Sequence, residues 1–185
     1  MYTWLRLMRV AATYRRRGRF TADSESRLAF RCLPTDIDMN LHLNNARYMM
    51  LADMGRIDIF LRSGLVTESR KRRWGPLLGG LQVAYVREIR LWKRFTLVST
   101  VETWHERQIV GRHRFVLDDS RTAAIILTTG GVYDFANRRF VPIDEVMATI
   151  GIDAPPRPPS DEEQAFMDSH QGLREMAKKA NVGLS

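Results

Sequence analysis

Four short polar side chains alternate with apolar ones along residues 36–42: Asp36, Asp38, Asn40 and His42. In an extended chain, side chains two residues apart point to the same side, so an extended segment would bring all four together. A carboxylate there could attack a carbonyl carbon or activate a water molecule as a base. Asn40 could orient the water, and His42 could share a proton with the carboxylate. Either Asp36 or Asp38 could supply the carboxylate.

A buried helix is predicted directly after these residues, over about residues 45–63. Asn44 or Asn45 suits its N-cap, and Gly64 suits its C-terminal stop. Unpaired N–H groups and the positive end of the helix dipole at such an N-terminus can stabilise an oxyanion. Turn formation and capping are the simpler roles for the same polar residues. Apolar positions of this helix recur every three or four residues, at Ala46, Met50, Met54, Ile57 and Leu61.

Two further features of this helix bear on its packing. Arg47, Asp58 and Arg62 mark a narrow polar side, so most of the circumference is expected to be buried. Gly55 in the interior costs about 1 kcal/mol relative to Ala, which predicts a close approach of the helix backbone to a sheet.

Strand-like patterns surround the helix. Alternation of Leu28, Phe30 and Cys32 predicts a half-buried strand before it, and residues 69–76 read as a basic loop after it. Short connections make the later strands antiparallel neighbours. The order indicates an α+β domain in which a curved antiparallel sheet wraps around one helix. The later strands are predicted near residues 81–91, 95–105, 109–117 and 122–135.

Three regions follow from these patterns: a basic N-terminal arm (1–23), the α+β domain (24–140) and a C-terminal extension (141–185). The extension contains a short closing helix, a Pro-rich linker and a helix with Ser160 as N-cap and Glu163 completing a capping box. Six of the 29 basic residues and no acid lie in residues 1–19, while the remainder is nearly balanced. The arm is either a helix docked on the domain, a solvated tail, or a helix on an anionic membrane surface.

Composition excludes several classes of protein. Hydrophobic content of 44% and charged content of 27% are ordinary for a soluble globular protein, and no apolar run is long enough to span a membrane. One cysteine, Cys32, cannot form an internal disulfide and is expected to be a small buried residue, which fits a cytoplasmic location. His105, His113 and His170 are scattered, so no metal site and no cofactor are expected. Basic charge without a known nucleic-acid-binding signature gives no support for specific nucleic-acid binding.

The segment DIDMNLHLNNARYMMLADMGR resembles the signature of the hotdog-fold thioesterases, specifically the 4-hydroxybenzoyl-CoA thioesterase-like superfamily. It is also similar to the motif of plant acyl-ACP thioesterases. The resemblance implies one hotdog unit over about residues 24–140 and hydrolysis of acyl-CoA or acyl-ACP to a free acid and a thiol. A single unit implies a homodimer, or a tetramer built from dimers, because strand edges stay open.

The same resemblance assigns roles by position. Asp38 matches the catalytic carboxylate, as nucleophile or general base, and Asn40 and His42 match the catalytic Asn and His of the acyl-ACP branch. The carbonyl-polarising amide falls at Leu43, Asn44 or Asn45. Tyr48 matches a motif tyrosine with a structural or a substrate-binding role. Asp53 and Arg56 match an acid–arginine pair on the helix, where Asp53 could also bind substrate. Asp53 is also the only acid placed where some relatives carry a helical catalytic carboxylate.

Substrate binding and the alternatives rest on less specific features. The cluster Arg70, Lys71, Arg72 and Arg73 would favour the phosphates of coenzyme A or an acidic carrier protein, although a solvated surface is the simpler interpretation. Alternatives to an enzyme are a non-catalytic hotdog protein that binds acyl thioesters, and a peripheral membrane or scaffold protein acting through residues 1–19.

Overall fold

The computed structural model describes residues 2–182 of the 185-residue chain, with side-chain environments for residues 4–180. Met1, which belongs to the predicted arm, lies outside this range. The helices are α1 (Tyr2–Thr13), α2 (Asn45–Arg62), α3 (Leu65–Arg72), α4 (Ile143–Thr149) and α5 (Asp161–Val182). The strands are β1 (Ser26–Arg31), β2 (Trp74–Tyr85), β3 (Arg94–His105), β4 (Gln108–Leu117), β5 (Thr122–Asp134) and β6 (Arg139–Val141). Short 3₁₀ turns cover Tyr14–Arg17 and Pro34–Asp36.

One antiparallel sheet with the strand order β1-β3-β4-β5-β2 wraps around α2, and β6 pairs with β5. The predicted α+β fold with a curved sheet around one long helix is confirmed. Gly55 of α2 lies directly against β3: a Cβ atom added to it would stand 2.1 Å from Ser99 Oγ. The expected close approach of helix backbone and sheet therefore explains this glycine.

The core between α2 and the sheet is aromatic at one end. Tyr48 is 3% exposed and packs edge-on against Phe115, which in turn contacts Phe95. Cys32 is fully buried just after β1, as predicted. Burial of this cluster fixes how α2 is rotated against the sheet, and so fixes which of its residues face outward.

The predicted polar side of α2 is partly wrong. Asp58 and Arg62 are buried, because Asp58 accepts hydrogen bonds from Ser26 Oγ at 2.6 Å and from Arg17 Nε at 2.9 Å. Arg62 Nη1 contacts the same carboxylate at 3.3 Å. The outward side of α2 is instead a half-exposed stripe made of Met49, Asp53, Arg56, Ile57 and Phe60.

Residues 69–76 are not a loop, and β2 begins seven residues earlier than predicted. Ser69 to Arg72 complete α3, and Trp74, Gly75 and Pro76 already pair with β5. Glycine and proline lower the strand signal of this segment, while its pairing with the long β5 supplies the missing stability. Residues 86–91 leave the sheet and lie beside the segment that precedes α2, where Leu43 N donates to Ile89 O at 2.8 Å.

The N-terminal arm forms a helix that docks on the domain through two ion pairs. Arg6 Nη2 lies 2.8 Å from Asp36 Oδ2, and Arg17 Nη2 lies 2.7 Å from Asp58 Oδ1. Val10 is buried between them. Within residues 2–182, no helix is long and apolar enough to cross a membrane.

The C-terminal extension is anchored by Glu163. Its carboxylate accepts from Ser160 N at 2.9 Å and its own N–H donates to Ser160 Oγ at 3.3 Å, which confirms the predicted capping box. Arg157 and Arg112 contact the same buried carboxylate at 2.6 and 2.9 Å. Earlier in the same extension, α4 packs its apolar side against the sheet, with Ile143, Val146 and Met147 buried.

Candidate active site

The segment before α2 is a tight turn and not an extended chain. Asp38 N donates to His42 O at 3.0 Å, and Leu41 N donates to Asp38 O at 3.1 Å. Leu41 adopts a left-handed conformation with φ of 60°, which completes the reversal. The segment is thus not extended, so the condition under which residues 36, 38, 40 and 42 would share one side is not met.

Asp36 is a structural residue. It is 1% exposed, and its Oδ2 accepts hydrogen bonds from Arg6 at 2.8 Å and from Leu33 N at 3.0 Å. These bonds close the 3₁₀ turn and tie it to α1. Of the two aspartates open to a catalytic role, Asp36 is thus buried away from any substrate.

Asp38 is half-buried in the turn and keeps one carboxylate oxygen free. Its Oδ1 accepts from Asn40 N at 2.9 Å, an Asx-type bond that stabilises the turn. Its Oδ2 makes no hydrogen bond or ion pair with any described residue. A carboxylate oriented by one bond and open at the other oxygen can accept a proton from water.

Asn40 and His42 do not contact Asp38 through their side chains. His42 Nε2 lies 2.5 Å from Glu88 Oε2, and Glu88 also contacts Arg90. Asn40 is exposed, and its side-chain amide bonds to no other described residue. The structure therefore brings His42 to a different carboxylate from the one expected, and the catalytic roles of both residues stay predictions.

The three amides considered for carbonyl polarisation differ in availability. Leu43 N donates to Ile89 O, and Asn44 N donates to Asp36 O, both at 2.8 Å. Asn44 is the N-cap, with its Oδ1 accepting from Ala46 N at 2.9 Å. The Asn45 amide, at the first helical position, makes no hydrogen bond among the described residues. It is the N–H at this helix end that a substrate oxygen can use.

Tyr48 has a structural environment. Burial raises the pKa of its hydroxyl, with Tyr85 adding to the effect and a hydrogen bond to the Ile89 backbone opposing it. The ring packs edge-on against Tyr85 and Phe115. A buried tyrosine that joins the core to the 86–91 segment holds that segment against the start of α2.

An apolar cavity of about 300 Å³ lies between the C-terminal half of α2, the sheet and α4. Its wall includes Phe60, Trp104, Ile109, Val132, Val146 and Met147. Apolar residues of the helix and sheet indicated room for an acyl group, but the contribution of α4 to the wall was not predicted, because α4 is far along the chain from the strands it faces. The apolar spacing in the segment VPIDEVM was the one available signal. Asp38, Asn40 and His42 do not line it.

Three ionisable residues border the cavity: Asp53, Arg56 and His113. Asp53 and Arg56 contact each other across one turn of α2, as expected for an ion pair on the helix. Burial lowers the pKa of Arg56. Burial, followed by the charge of Arg56, lowers the pKa of His113 to about 3, so this ring is neutral at pH 7. His113 bonds to Ser99 Oγ at 2.8 Å and Thr128 Oγ1 at 3.3 Å.

The basic cluster lies at the end of α3. Along the chain, it is separated from the Asp38 turn by the whole of α2. Lys71 Nζ lies 2.7 Å from Glu68, which also contacts Arg72 at 3.5 Å. Arg70 and Arg73 are exposed and pair with no acid among residues 2–182. Two of the four cations are therefore shared with Glu68, and two are open to an anionic ligand. The same residues contain no group of three or more His, Cys, Asp and Glu side chains placed to hold a metal ion.

Comparison with known proteins identifies the family of this chain. The family model of the thioesterase-like superfamily matches residues 32–150. The chain belongs to this superfamily. The match contains the turn with Asp38, the whole of α2 and all strands from β2 to β6, and it leaves out α1 and α5.

The individual proteins that resemble this chain have low sequence identity to it. Protein THEM6 of Xenopus laevis is 32% identical over 97 residues, which cover 52% of this chain and 47% of the relative. The chain thus spans about half the length of the curated relatives it matches. Among solved structures, the probable thioesterase YbaW of Escherichia coli has a TM-score of 0.63 at 16% identity, covering 67% of this chain and 94% of the other. SAV2348 of Staphylococcus aureus, solved in complex with CoA, has a TM-score of 0.63 at 14% identity, covering 80% and 96%. At these identities the structural likeness shows the fold alone.

Proposed function

We propose that this protein hydrolyses acyl thioesters, converting acyl-CoA or acyl-ACP and water to a free acid and a thiol. Membership of the thioesterase-like superfamily supports the reaction class. The observation that carries the proposal is the placement of Asp38. Its half-buried carboxylate has one oxygen without a partner among the described residues. It lies in a turn closed by the backbone bond from Asp38 N to His42 O, and His42 is three residues before α2 begins.

In the proposed reaction, Asp38 Oδ2 removes a proton from water as the water oxygen bonds to the thioester carbonyl carbon. Negative charge moves onto the carbonyl oxygen, which accepts a hydrogen bond from Asn45 N–H at the positive end of the helix dipole. Collapse of the tetrahedral intermediate breaks the C–S bond, and the leaving thiolate takes the proton from Asp38. Asn40 and His42 position the water and the thioester, with Glu88 orienting the imidazole ring.

The cavity supplies a place for the acyl group. Asn45 and Asp53 are eight residues apart, so about 12 Å of helix separates the proposed oxyanion site from Asp53 at the cavity border. An acyl group running along the half-exposed stripe of α2 would pass Met49 before it enters the cavity. The apolar lining favours a long aliphatic or an aromatic acyl group over a short polar one.

Asp53 is the competing carboxylate, and one observation favours it: it borders the cavity, whereas Asp38 does not. Its contact with Arg56 argues against it as a base, because a neighbouring guanidinium stabilises the charged carboxylate and weakens it as a proton acceptor. We therefore assign the base to Asp38 and an ion-pair role to Asp53.

Carrier binding and assembly complete the proposal. Arg70 and Arg73, with Lys71 and Arg72, would contact the phosphates of coenzyme A or an acidic carrier protein. Coenzyme A is the carrier to test first, because SAV2348 was solved in complex with CoA. We propose a homodimer, two of which can assemble into a tetramer. Among the described strands β2 lies at an open edge of the sheet, with Leu77, Leu78 and Tyr85 more than a third exposed, and such an edge pairs readily with another chain.

The test is thiol release by the purified full chain from short, long and aromatic acyl-CoAs and from acyl-ACP. We expect release, fastest with a long or aromatic acyl group, from a protein that is dimeric or larger by light scattering. A folded protein that binds these thioesters and releases no thiol from any of them would be a binding protein instead of a hydrolase.

A further inference from the structure

The outward face of α1 is apolar, although a solvated helix face is normally polar. Val10 on the opposite face is buried against the domain. The exposed fractions of Trp4, Leu5 and Met8 are 68%, 55% and 58%. We call the apolar residues on this face the outer stripe: Trp4, Leu5, Met8, Ala11 and Ala12. A contiguous exposed patch of large apolar side chains marks a surface that contacts another molecule or a membrane.

A groove of about 270 Å³ lies between α1 and β1, beside the outer stripe. Arg9 and Arg16 on this groove are exposed and pair with no acid among the described residues. Among the residues whose side chains the structure describes, no acidic one lines the groove. Five of the residues that line it are arginines: Arg6, Arg9, Arg16, Arg17 and Arg27. Three of these are already paired, with Asp36, Asp58 and Glu25.

We propose that α1 docks this protein on an anionic phospholipid bilayer. The outer stripe inserts at the boundary between headgroups and acyl chains, and Arg9 and Arg16 contact lipid phosphates. An amphipathic helix lying in the plane of the interface combines these two features, apolar insertion and arginine contacts. The docked face of α1 keeps the domain attached while the outer stripe is in the membrane.

Charge argues for a bilayer and against a second copy of the chain as the occupant. A two-fold contact places the same patch of both subunits face to face. The first 19 residues contain six arginines and no acid, so this contact would bring like charges together. A bilayer with anionic headgroups supplies the opposite charge and an apolar interior at once.

The experiment is flotation of the full chain with vesicles of phosphatidylcholine alone, or of phosphatidylcholine mixed with phosphatidylglycerol. We expect binding to the anionic vesicles that weakens as salt is added. The triple variant Trp4→Gln, Leu5→Gln, Met8→Gln should lose most of it. The double variant Arg9→Gln, Arg16→Gln should bind roughly 25-fold more weakly, at about fivefold for each cation near the surface.

Matched controls remove exposed apolar side chains and exposed cations at other places on the surface. Leu173→Gln with Met176→Gln removes two exposed apolar side chains of α5, and Arg107→Gln with Arg139→Gln removes two exposed cations. Both controls should bind anionic vesicles like the unmodified chain. Far-UV circular dichroism verifies that α1 remains helical in each variant.

Three results would overturn the proposal. The first is no binding of the unmodified chain to anionic vesicles, and the second is equal loss of binding in variants and controls. The third is a change of oligomeric state by light scattering in the outer-stripe variant, which would make the stripe a contact between copies. Vesicle binding is read without thioester turnover, so the result stands whatever the outcome for the proposed hydrolysis.

Discussion

Arg6 of α1 and Asp36 of the segment before α2 form a buried ion pair, with Nη2 of Arg6 2.8 Å from Oδ2 of Asp36. Arg6 also donates to Arg31 O at 2.8 Å, and its guanidinium lies over the Phe30 ring. Asp38 follows Asp36 by two residues. The N-terminal helix is therefore part of the support for the turn that carries the proposed catalytic carboxylate.

Replacing Arg6 by Met should destabilise the fold substantially. The change removes the Arg6 cation from the buried Asp36 carboxylate, and breaking a buried pair costs about 3 kcal/mol or more of unfolding free energy. Chemical denaturation monitored by fluorescence measures the loss. Arg27→Met is the matched control, because its pair with Glu25 is exposed and contributes less than about 1 kcal/mol. Equal losses in the two variants would show that the Arg6 pair has no special structural role.

Gly55→Ala should destabilise the protein even though Ala is the better helix former. The added Cβ would stand 2.1 Å from Ser99 Oγ and 2.9 Å from Ser99 Cβ, so α2 or β3 must shift. Overpacking of this kind costs about 1–3 kcal/mol, against a helix-propensity gain of about 1 kcal/mol. Gly172→Ala in α5 meets nothing within 4 Å and should instead stabilise slightly. Thermal unfolding compares the two, and a neutral or stabilising Gly55→Ala would contradict the close approach of α2 to the sheet.

His113 should make the fold less stable in mild acid. Burial lowers the pKa of this imidazole from 6.5 to about 3 in the folded state, so the unfolded chain binds its proton first as the pH falls. Keeping His113 neutral costs no folding stability above about pH 6.5. As the pH falls from 6.5 to 3, the free energy of unfolding decreases progressively. From pH 7 to pH 5 the contribution of this group should fall by about 2 kcal/mol.

His113→Gln isolates that contribution. Glutamine can bond to Ser99 and Thr128 but does not titrate, so the variant should lose less stability from pH 7 to pH 5 than the unmodified chain. Urea unfolding at the two pH values gives both differences. The same loss in both proteins would show that His113 does not remain neutral on folding.

Narrowing the cavity should change acyl-chain preference. Val146→Phe adds a ring to the wall formed by α4, which should lower kcat/KM for long acyl-CoAs about tenfold and leave short ones little changed. Glu145→Phe places the same ring on the exposed side of α4 as the control. A uniform effect of Val146→Phe on all chain lengths would place the acyl group elsewhere.

Much of the fold could be predicted because local patterns agree with the final packing. The predicted bounds of β3, β4 and β5 differ from the structure by at most one residue at each end, since β-branched and aromatic residues mark these strands throughout. The start of α2 was predictable from its Asn cap, and Gly55 revealed the tight contact with the sheet. These features depend on neighbours in sequence or on one glycine.

Other features depend on partners far apart in the chain. Arg6 and Asp36 are separated by 30 residues, and Arg17 and Asp58 by 41. No periodicity shows that Asp58 faces inward to meet Arg17, so its burial was missed. The role of Asp36 was undecided for the same reason, and the reversal at Leu41 could not be read from an alternating pattern.

The proposed mechanism is tested most directly by comparing Asp38→Asn with Asp53→Asn in steady-state thiol release from the best acyl-CoA. If Asp38 is the base, Asp38→Asn should lower kcat by about 100-fold or more with an unchanged fold, as expected for loss of a general base. Asp53→Asn should retain most of kcat. Retained turnover in Asp38→Asn together with its loss in Asp53→Asn would contradict the proposal and move the catalytic carboxylate to the middle of α2.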